Sequence, residues 1–362
     1  MLAKATPSLV DSLRRRIAGQ GPISVHDYMQ ACLADAASGY YIARQPIGKL
    51  GDFITAPEIS QIFGELLGLW AVNVWQSMGA PDDIVLAELG PGRGTLMADA
   101  LRAIKGVPQL HKRISIALIE KSPVLREAQA DALGNFDVGW FDAIEEVPDA
   151  PLILLANEFL DALPIRQYVR RDDGWHERCI GIDQGALAYV ESDTATDLEL
   201  PPELTLSDAG TIFEARPGVA NLVAAIAART KPVAALFIDY GHERSGFGET
   251  LQAVRAHGFA DPLDAPGETD LSAHVDFADL TRRARAAGLE SFGPLPQGEF
   301  LLKLGVEMRR DRLLQQANLE QRQAITTGVD RLINPRVMGH LFKALAVTSL
   351  TMPPPPPFLE AS

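Results

Sequence analysis

The chain reads as an α/β protein built on a mostly parallel, Rossmann-like sheet, and three observations predict it. Short apolar runs at 84–87, 114–119, 152–156 and 233–238 alternate with segments of helical apolar spacing, the pattern of strands buried on both faces by crossover helices. The first run leads into a glycine turn, Gly90-Pro91-Gly92-Arg93-Gly94, and then at once into a helix. With a weaker third strand around 138–140, the first four predicted strands end in, or run straight into, polar groups: Glu88, Glu120, Asp142 and Asn157-Glu158. Ligands of open α/β sheets bind at those carboxyl ends.

At 362 residues the chain is long enough for a full core and two lobes. Hydrophobic residues make up 47% and charged ones 22%, the composition of a soluble globular protein. Against 47 acidic residues stand only 33 basic ones, a net charge of -14. Such a surface repels phosphate backbones and argues against a general nucleic-acid binder. Cys32 and Cys179 are far apart and lack metal-ligand spacing, so they read as reduced packing residues and no metal is expected. No apolar run reaches the length of a membrane span, and no signal peptide is visible.

Taken in order, residues 1–80 read as an N-terminal lobe. A helix over 9–18 stops at Gly19-Gln20-Gly21-Pro22, and Ser24 caps a second. Loop chemistry follows over 48–55. Pro57 opens a helix with apolar residues at 59, 62, 63, 66, 67 and 70. Residues 81–165 and 211–350 read as the sheet core. Between them, 166–210 has alternating segments separated by Asp172-Asp173-Gly174 and Asp183-Gln184-Gly185, the signals of a β-rich hairpin insertion. Near the end a charged amphipathic helix is expected over 313–324, a last strand within 338–347, and a stiff, exposed proline-rich tail over 351–362. His242 follows the fifth predicted strand and His274 lies in a loop at the ligand edge; each reads as an acceptor contact or proton carrier, or as a hydrogen-bonded structural histidine.

The spacing of the glycine turn decides between nucleotides. A dinucleotide fingerprint needs glycine where Thr95 stands, and a P-loop needs Gly-Lys-Ser/Thr, which is absent. An acidic residue two positions before glycines at 90, 92 and 94 resembles motif I of class I S-adenosylmethionine-dependent methyltransferases. Glu120, at the end of the second strand, has the place of a carboxylate that grips both ribose hydroxyls. Asp142, after the third, can accept the exocyclic amine of adenine.

Four longer segments in fixed order extend the resemblance. Gly51-Asp52-Phe53-Ile54-Thr55-Ala56-Pro57-Glu58-Ile59-Ser60, Glu88 to Leu96, Ala156-Asn157-Glu158-Phe159-Leu160-Asp161-Ala162-Leu163-Pro164 and Phe237-Ile238-Asp239-Tyr240-Gly241 look like the MidA family. This family comprises mitochondrial respiratory complex I assembly methyltransferases and their bacterial homologues. The resemblance spans roughly residues 8–350. It implies a seven-stranded class I fold that uses S-adenosylmethionine and releases S-adenosylhomocysteine, without a metal. It also implies a protein acceptor, an arginine of the 49 kDa-type complex I subunit dimethylated symmetrically, and a bacterial cytoplasm or, in a eukaryote, the mitochondrial matrix.

The resemblance places the donor on Gly90, Pro91, Gly92 and Gly94, with Glu88 near its methionine portion, Glu120 on the ribose and Asp142 by the adenine. Gly51, Phe53 and Thr55 then close over its amino-acid end, with Asn157 at the strand edge. A guanidinium acceptor is protonated and delocalised, so a methyltransferase acting on it needs carboxylates to grip it and take a proton. Glu158 and Asp161, with Asn157 beside them, are the expected catalytic group. Two competing readings are a non-catalytic assembly factor that binds the donor as a structural ligand, and a nicotinamide-dependent oxidoreductase.

Overall fold

The structure, a computed structural model, describes residues 8–34, 40, 55–134, 136–204, 207–255 and 258–358. Gly51 and Phe53 lie outside the described residues. The chain divides into two compact units, one drawn from 1–46, 161–220 and 244–274, the other from 47–160, 221–243 and 275–362.

The second unit holds the sheet. Its strands are β1 (Ile84–Leu89), β2 (Ile114–Ile119), β3 (Val138–Phe141), β4 (Leu152–Asn157), β5 (Val233–His242), β6 (Val275–Asp276), β7 (Leu289–Pro296) and β8 (Phe342–Ser349). They lie in the order β7-β8-β5-β4-β1-β2-β3, with the short β6 pairing the end of β5. β1 to β5 run parallel, whereas β8 runs antiparallel to both β5 and β7. Every residue of β1 and β4 is buried, which explains their lack of polar alternation. This is the seven-stranded sheet expected from the sequence, with β6 added.

Three helices of this unit are α1 (Gln61–Ser77), α2 (Thr95–Ile104) and α3 (Pro123–Leu133). The single helix expected from Pro57 onward is two. Ser60 is extended, and its Oγ accepts the Ile62 N–H at 3.3 Å, so it ends a short helix, Ala56–Ile59, and caps α1. Ile62, Phe63, Leu66, Leu67 and Trp70 of α1 enter the same core as β1 and β4. Each buried side chain of this kind stabilises by roughly 1.5–3 kcal/mol. The expected lobe boundary at residue 80 is therefore displaced: α1 belongs to the sheet unit.

α1 lies so close to α2 that two of its glycines cannot carry side chains. A Cβ on Gly68 falls 2.4 Å from the Ala100 carbonyl oxygen and 2.7 Å from Ala100 Cα. Gly68→Val is expected to destabilise by about 3–5 kcal/mol, because backbone rather than a flexible side chain must move. Thermal melting checks this, with Gly19→Ala, which meets open space in a helix, as the control that does not lower the midpoint.

In the first unit, helices Leu9–Gln20 and Val25–Ala34 share a core with the insertion and with residues beyond it: Leu13, Ile17, Tyr28 and Met29 pack with Ile180, Ile165 and Leu271. Its five-stranded sheet includes the predicted hairpins, Arg166–Arg171, Gly174–Asp183 and Ala186–Glu191, together with Ile212–Ala215 and Ile23–Ser24. A further three-stranded sheet spans Gln252–Arg255, Gly258–Ala260 and Asp270–Ser272. The N-terminal helices and the insertion, expected as separate lobes, thus form one unit that also takes residues 211–220 and 244–274 from the expected core.

Two C-terminal expectations also change. The helix expected over 313–324 is divided, because Asn318 and Gln321 form a reciprocal capping box that starts Leu319–Ile333 after Val306–Leu314 has ended. The proline tail is not free through Phe358. Phe358 packs on Phe300 with ring centroids 5.6 Å apart, and Met352 and Pro355 are buried.

Candidate functional site: the carboxyl ends of the parallel strands

The parallel register brings the strand ends level. Leu89 pairs with both Ile119 and Ala156, and Ile119 with Phe141. The residue just past each strand then bonds to its neighbour: Gly90 N–H to the Ile119 carbonyl at 3.2 Å, Glu120 N–H to Phe141 at 3.0 Å, and Glu158 N–H to Ile238 at 2.9 Å. Gly90, Glu120 and Glu158 are thereby fixed along one edge.

The turn after β1 needs glycine for geometric reasons. Gly90, Gly92 and Gly94 have φ of 59, 54 and 81°, the left-handed region. A Cβ on Gly90 would also meet the Phe159 ring at 2.8 Å. The Gly94 N–H closes the turn on the Pro91 carbonyl at 2.8 Å, and α2 begins at Thr95.

Behind the turn stands Gln129 of α3, fully buried. Its Nε2 donates to the Gly92 carbonyl at 2.8 Å and to Glu120 Oε2 at 3.4 Å, while its Oε1 accepts from the Trp140 indole N–H at 2.9 Å. One amide therefore ties the glycine turn, the carboxylate after β2 and strand β3. The Ser122 N–H donates to Glu120 Oε1 at 2.8 Å. Burial raises the Glu120 pKa, and these hydrogen bonds partly oppose the rise.

Glu88, next to last in β1, is 3% exposed. Burial pushes its carboxyl up to about 8, against the opposing effect of the Met97 N–H that bonds it. Its Oε2 and the Oδ1 of Asn157, at the end of neighbouring β4, are buried without a hydrogen-bond partner among the described residues. Unsatisfied buried acceptors on adjacent strand ends fit a ligand that brings hydrogen-bond donors and positive charge.

A raised carboxyl has a stability consequence. The folded chain keeps a proton on Glu88 that the unfolded chain releases above about pH 4.5. Its contribution to ligand-free stability is therefore complete below about 4.5 and is lost as pH rises through about 8. Thermal midpoints measured across this window should decline more steeply for the wild type than for Glu88→Gln, and parallel slopes would assign the decline to other groups.

After β4 the chain turns through Glu158, whose φ of 49° is rare for a residue with a side chain. Such strain persists where the surroundings enforce it. Here Asp239, 1% exposed within β5 and one residue past its pairing with β4, accepts the N–H groups of Phe159 at 3.1 Å and Leu160 at 2.8 Å. Glu158 Oε1 accepts the Ala56 N–H at 2.9 Å and the Asn157 amide at 3.2 Å. Thr55 caps the same short helix, its carbonyl accepting from Glu58 at 3.0 Å and Ile59 at 3.1 Å.

Of the expected site residues, the structure brings Gly90, Pro91, Gly92, Gly94, Glu88, Glu120, Asn157, Glu158 and Thr55 into the same unit. Asp142 also lies there, exposed, with its carboxylate on Arg126 Nη2 at 2.6 Å. Asp161 falls in the first unit, buried, with its carbonyl accepting the Ala273 N–H at 3.1 Å. His242 Nε2 stands 3.9 Å from Asp276 Oδ2, and the His274 N–H donates to Thr250 Oγ1 at 2.9 Å. Gln129 and Asp239 were not among the expected site residues: their importance arises from partners far off in sequence. Among the described residues no group of His, Cys, Asp or Glu could hold a metal ion.

Comparison with known proteins agrees with this geometry. A family model for S-adenosyl-L-methionine-dependent methyltransferases matches residues 66–295. The mitochondrial protein arginine methyltransferase NDUFAF7 of Danio rerio is 37% identical, covering 94% of this chain and 86% of its own. Its Homo sapiens counterpart is 35% identical, over 92% and 82%. A Burkholderia thailandensis structure bound to S-adenosyl-homocysteine aligns with a TM-score of 0.79 at 29% identity, covering 94% of this chain and 91% of that one. Glycine turn, strand-end carboxylates and full-length relatives agree: this chain belongs to the MidA family of S-adenosylmethionine-dependent methyltransferases.

Proposed function

We propose that the chain methylates a protein arginine, with Glu158 as the carboxylate that receives the acceptor. The observation that carries this reading is a carboxylate set at the ligand edge in an enforced left-handed turn, with its following residue, Phe159, against Gly90. The relatives named protein arginine methyltransferases support the acceptor class.

When bound, S-adenosylmethionine supplies an activated methyl on its sulfonium. The chain's own work is alignment and proton handling. Gly90, Gly92 and Gly94 let the donor lie on the main chain, Glu120 takes the ribose, and Asp142 the adenine edge. Glu88 and Asn157 face the amino-acid portion with Thr55 nearby, where Gly51 and Phe53 are also proposed to act. Glu158 orients the guanidinium and accepts its proton as the nitrogen is methylated, with Asp161 as the second proposed carboxylate. Holding the reacting groups in line can account for about 7–11 kcal/mol of the barrier.

The acceptor we propose is an arginine of the 49 kDa-type subunit of respiratory complex I, or a bacterial equivalent, methylated symmetrically. The compartment follows the host: bacterial cytoplasm, or mitochondrial matrix for a eukaryotic chain, in line with the relatives' mitochondrial names. No helix among the described residues is long and apolar enough to cross a membrane. Mass spectrometry of that purified subunit after incubation with enzyme and donor tests the reading. A gain of two methyl groups on one arginine is expected; donor binding with no methylated residue would favour an assembly factor instead.

A further inference from the structure

We propose that Glu58, hydrogen-bonded to Thr95, makes the glycine turn select a cationic nucleoside donor and refuse phosphate-bearing nucleotides. The proposal rests on the S-adenosylmethionine reading of the site and assigns its charge selectivity to a residue outside the glycine motif.

A glycine turn leading into a helix N-terminus is ordinarily a phosphate site, because free N–H groups and the helix dipole both favour an anion. Here the first turn of α2 already holds two carboxyl groups. The Thr95 hydroxyl donates to Glu58 Oε1 at 2.5 Å, and the Met97 N–H bonds Glu88. Gly94, at the N-cap, contributes no side-chain bond of its own. The place a pyrophosphate would need thus faces the Glu58 carboxylate, which repels it and attracts a sulfonium.

Glu58 is held firmly enough to act this way. Its short helix, Ala56–Ile59, is anchored by the Ala56 N–H on Glu158. Gly328 packs against the same segment: a Cβ there would lie 3.0 Å from the Ile59 carbonyl oxygen. Of the charged groups nearby, Arg93 in the turn is exposed to solvent, where its charge is screened. Arg102 is engaged by Asp99 and Glu65, and Arg309 by Glu65 at 2.7 Å. Thr95 also gains a reason to stand where a dinucleotide turn has glycine, since a glycine would leave Glu58 without its partner.

The test compares two ligands that differ by one charge. S-adenosylmethionine carries the sulfonium and S-adenosylhomocysteine does not. Glu58→Gln keeps an oxygen that can accept from Thr95 but removes the charge. Calorimetric titration of Glu58→Gln should show S-adenosylmethionine weakened about five- to tenfold, as expected for a charge lost at short range in a partly screened site. S-adenosylhomocysteine should change by less than about twofold, and ADP and NADH should bind more tightly than to wild type. Thr95→Val, which frees Glu58 without neutralising it, should narrow the same affinity ratio, with thermal melting confirming that both variants fold. Equal weakening of both sulfur ligands, or no change in either, would overturn the proposal. Failure of the wild type to bind S-adenosylmethionine would strike the donor reading itself and is read before any variant.

Discussion

Gly92→Val is expected to lose at least about a hundredfold in affinity for S-adenosylmethionine, some 2.7 kcal/mol of binding free energy, while remaining folded. Two effects combine at this position. Gly92 has φ of 54°, where a β-branched residue is strained by roughly 1–2 kcal/mol. It is also buried in the turn, with its carbonyl bound by Gln129 at 2.8 Å, so a shift of its backbone disturbs the contact that reaches Glu120. The strain alone can be measured at Gly134, which has φ of 56° but is exposed, and where a Cβ would meet nothing within 4 Å. Gly134→Val should cost stability and leave donor affinity intact. Calorimetry with the donor, paired with thermal melting, separates the two. Retained donor binding in folded Gly92→Val would remove the turn from the donor site.

The turn was legible in the sequence because its chemistry is local. Glycines, a preceding carboxylate and an apolar strand are neighbours in the chain, and the need for positive φ is met within five residues. Glu120 and Asn157-Glu158 were legible for a related reason: a buried parallel strand is a continuous apolar run, so its polar end stands out. Gln129 carried no such signal, being one amide on an ordinary helix until folding sets it between Gly92, Glu120 and Trp140. Asp239 was visible within a motif, but its task of holding the Phe159 and Leu160 amides depends on β5 lying beside β4. Strand β7 was missed because Gly293, Pro294 and Pro296 interrupt its pattern. The boundary at residue 80 failed because an apolar helical face does not reveal which core it enters; Gly64 and Gly68, which let α1 settle on α2, were the only local hint.

Glu158→Gln is expected to lower the rate of methyl transfer by about 10²–10⁴-fold, the usual scale for a missing proton acceptor, with donor affinity unchanged. The substitution is informative because the glutamine carbonyl can still accept the Ala56 N–H that Glu158 Oε1 holds at 2.9 Å. The turn, enforced by Asp239 through Phe159 and Leu160, also survives. What disappears is negative charge and basicity. Glu158→Asp makes the complementary change, keeping the charge but withdrawing it by one methylene from Ala56. If the carboxylate acts on the acceptor, the aspartate variant should transfer methyl faster than the glutamine variant. If Glu158 serves only to anchor the 55–59 segment, the order reverses, because glutamine preserves the anchor and aspartate does not. Single-turnover rates with donor saturating decide between them, since both variants are then compared at the transfer step and not at binding.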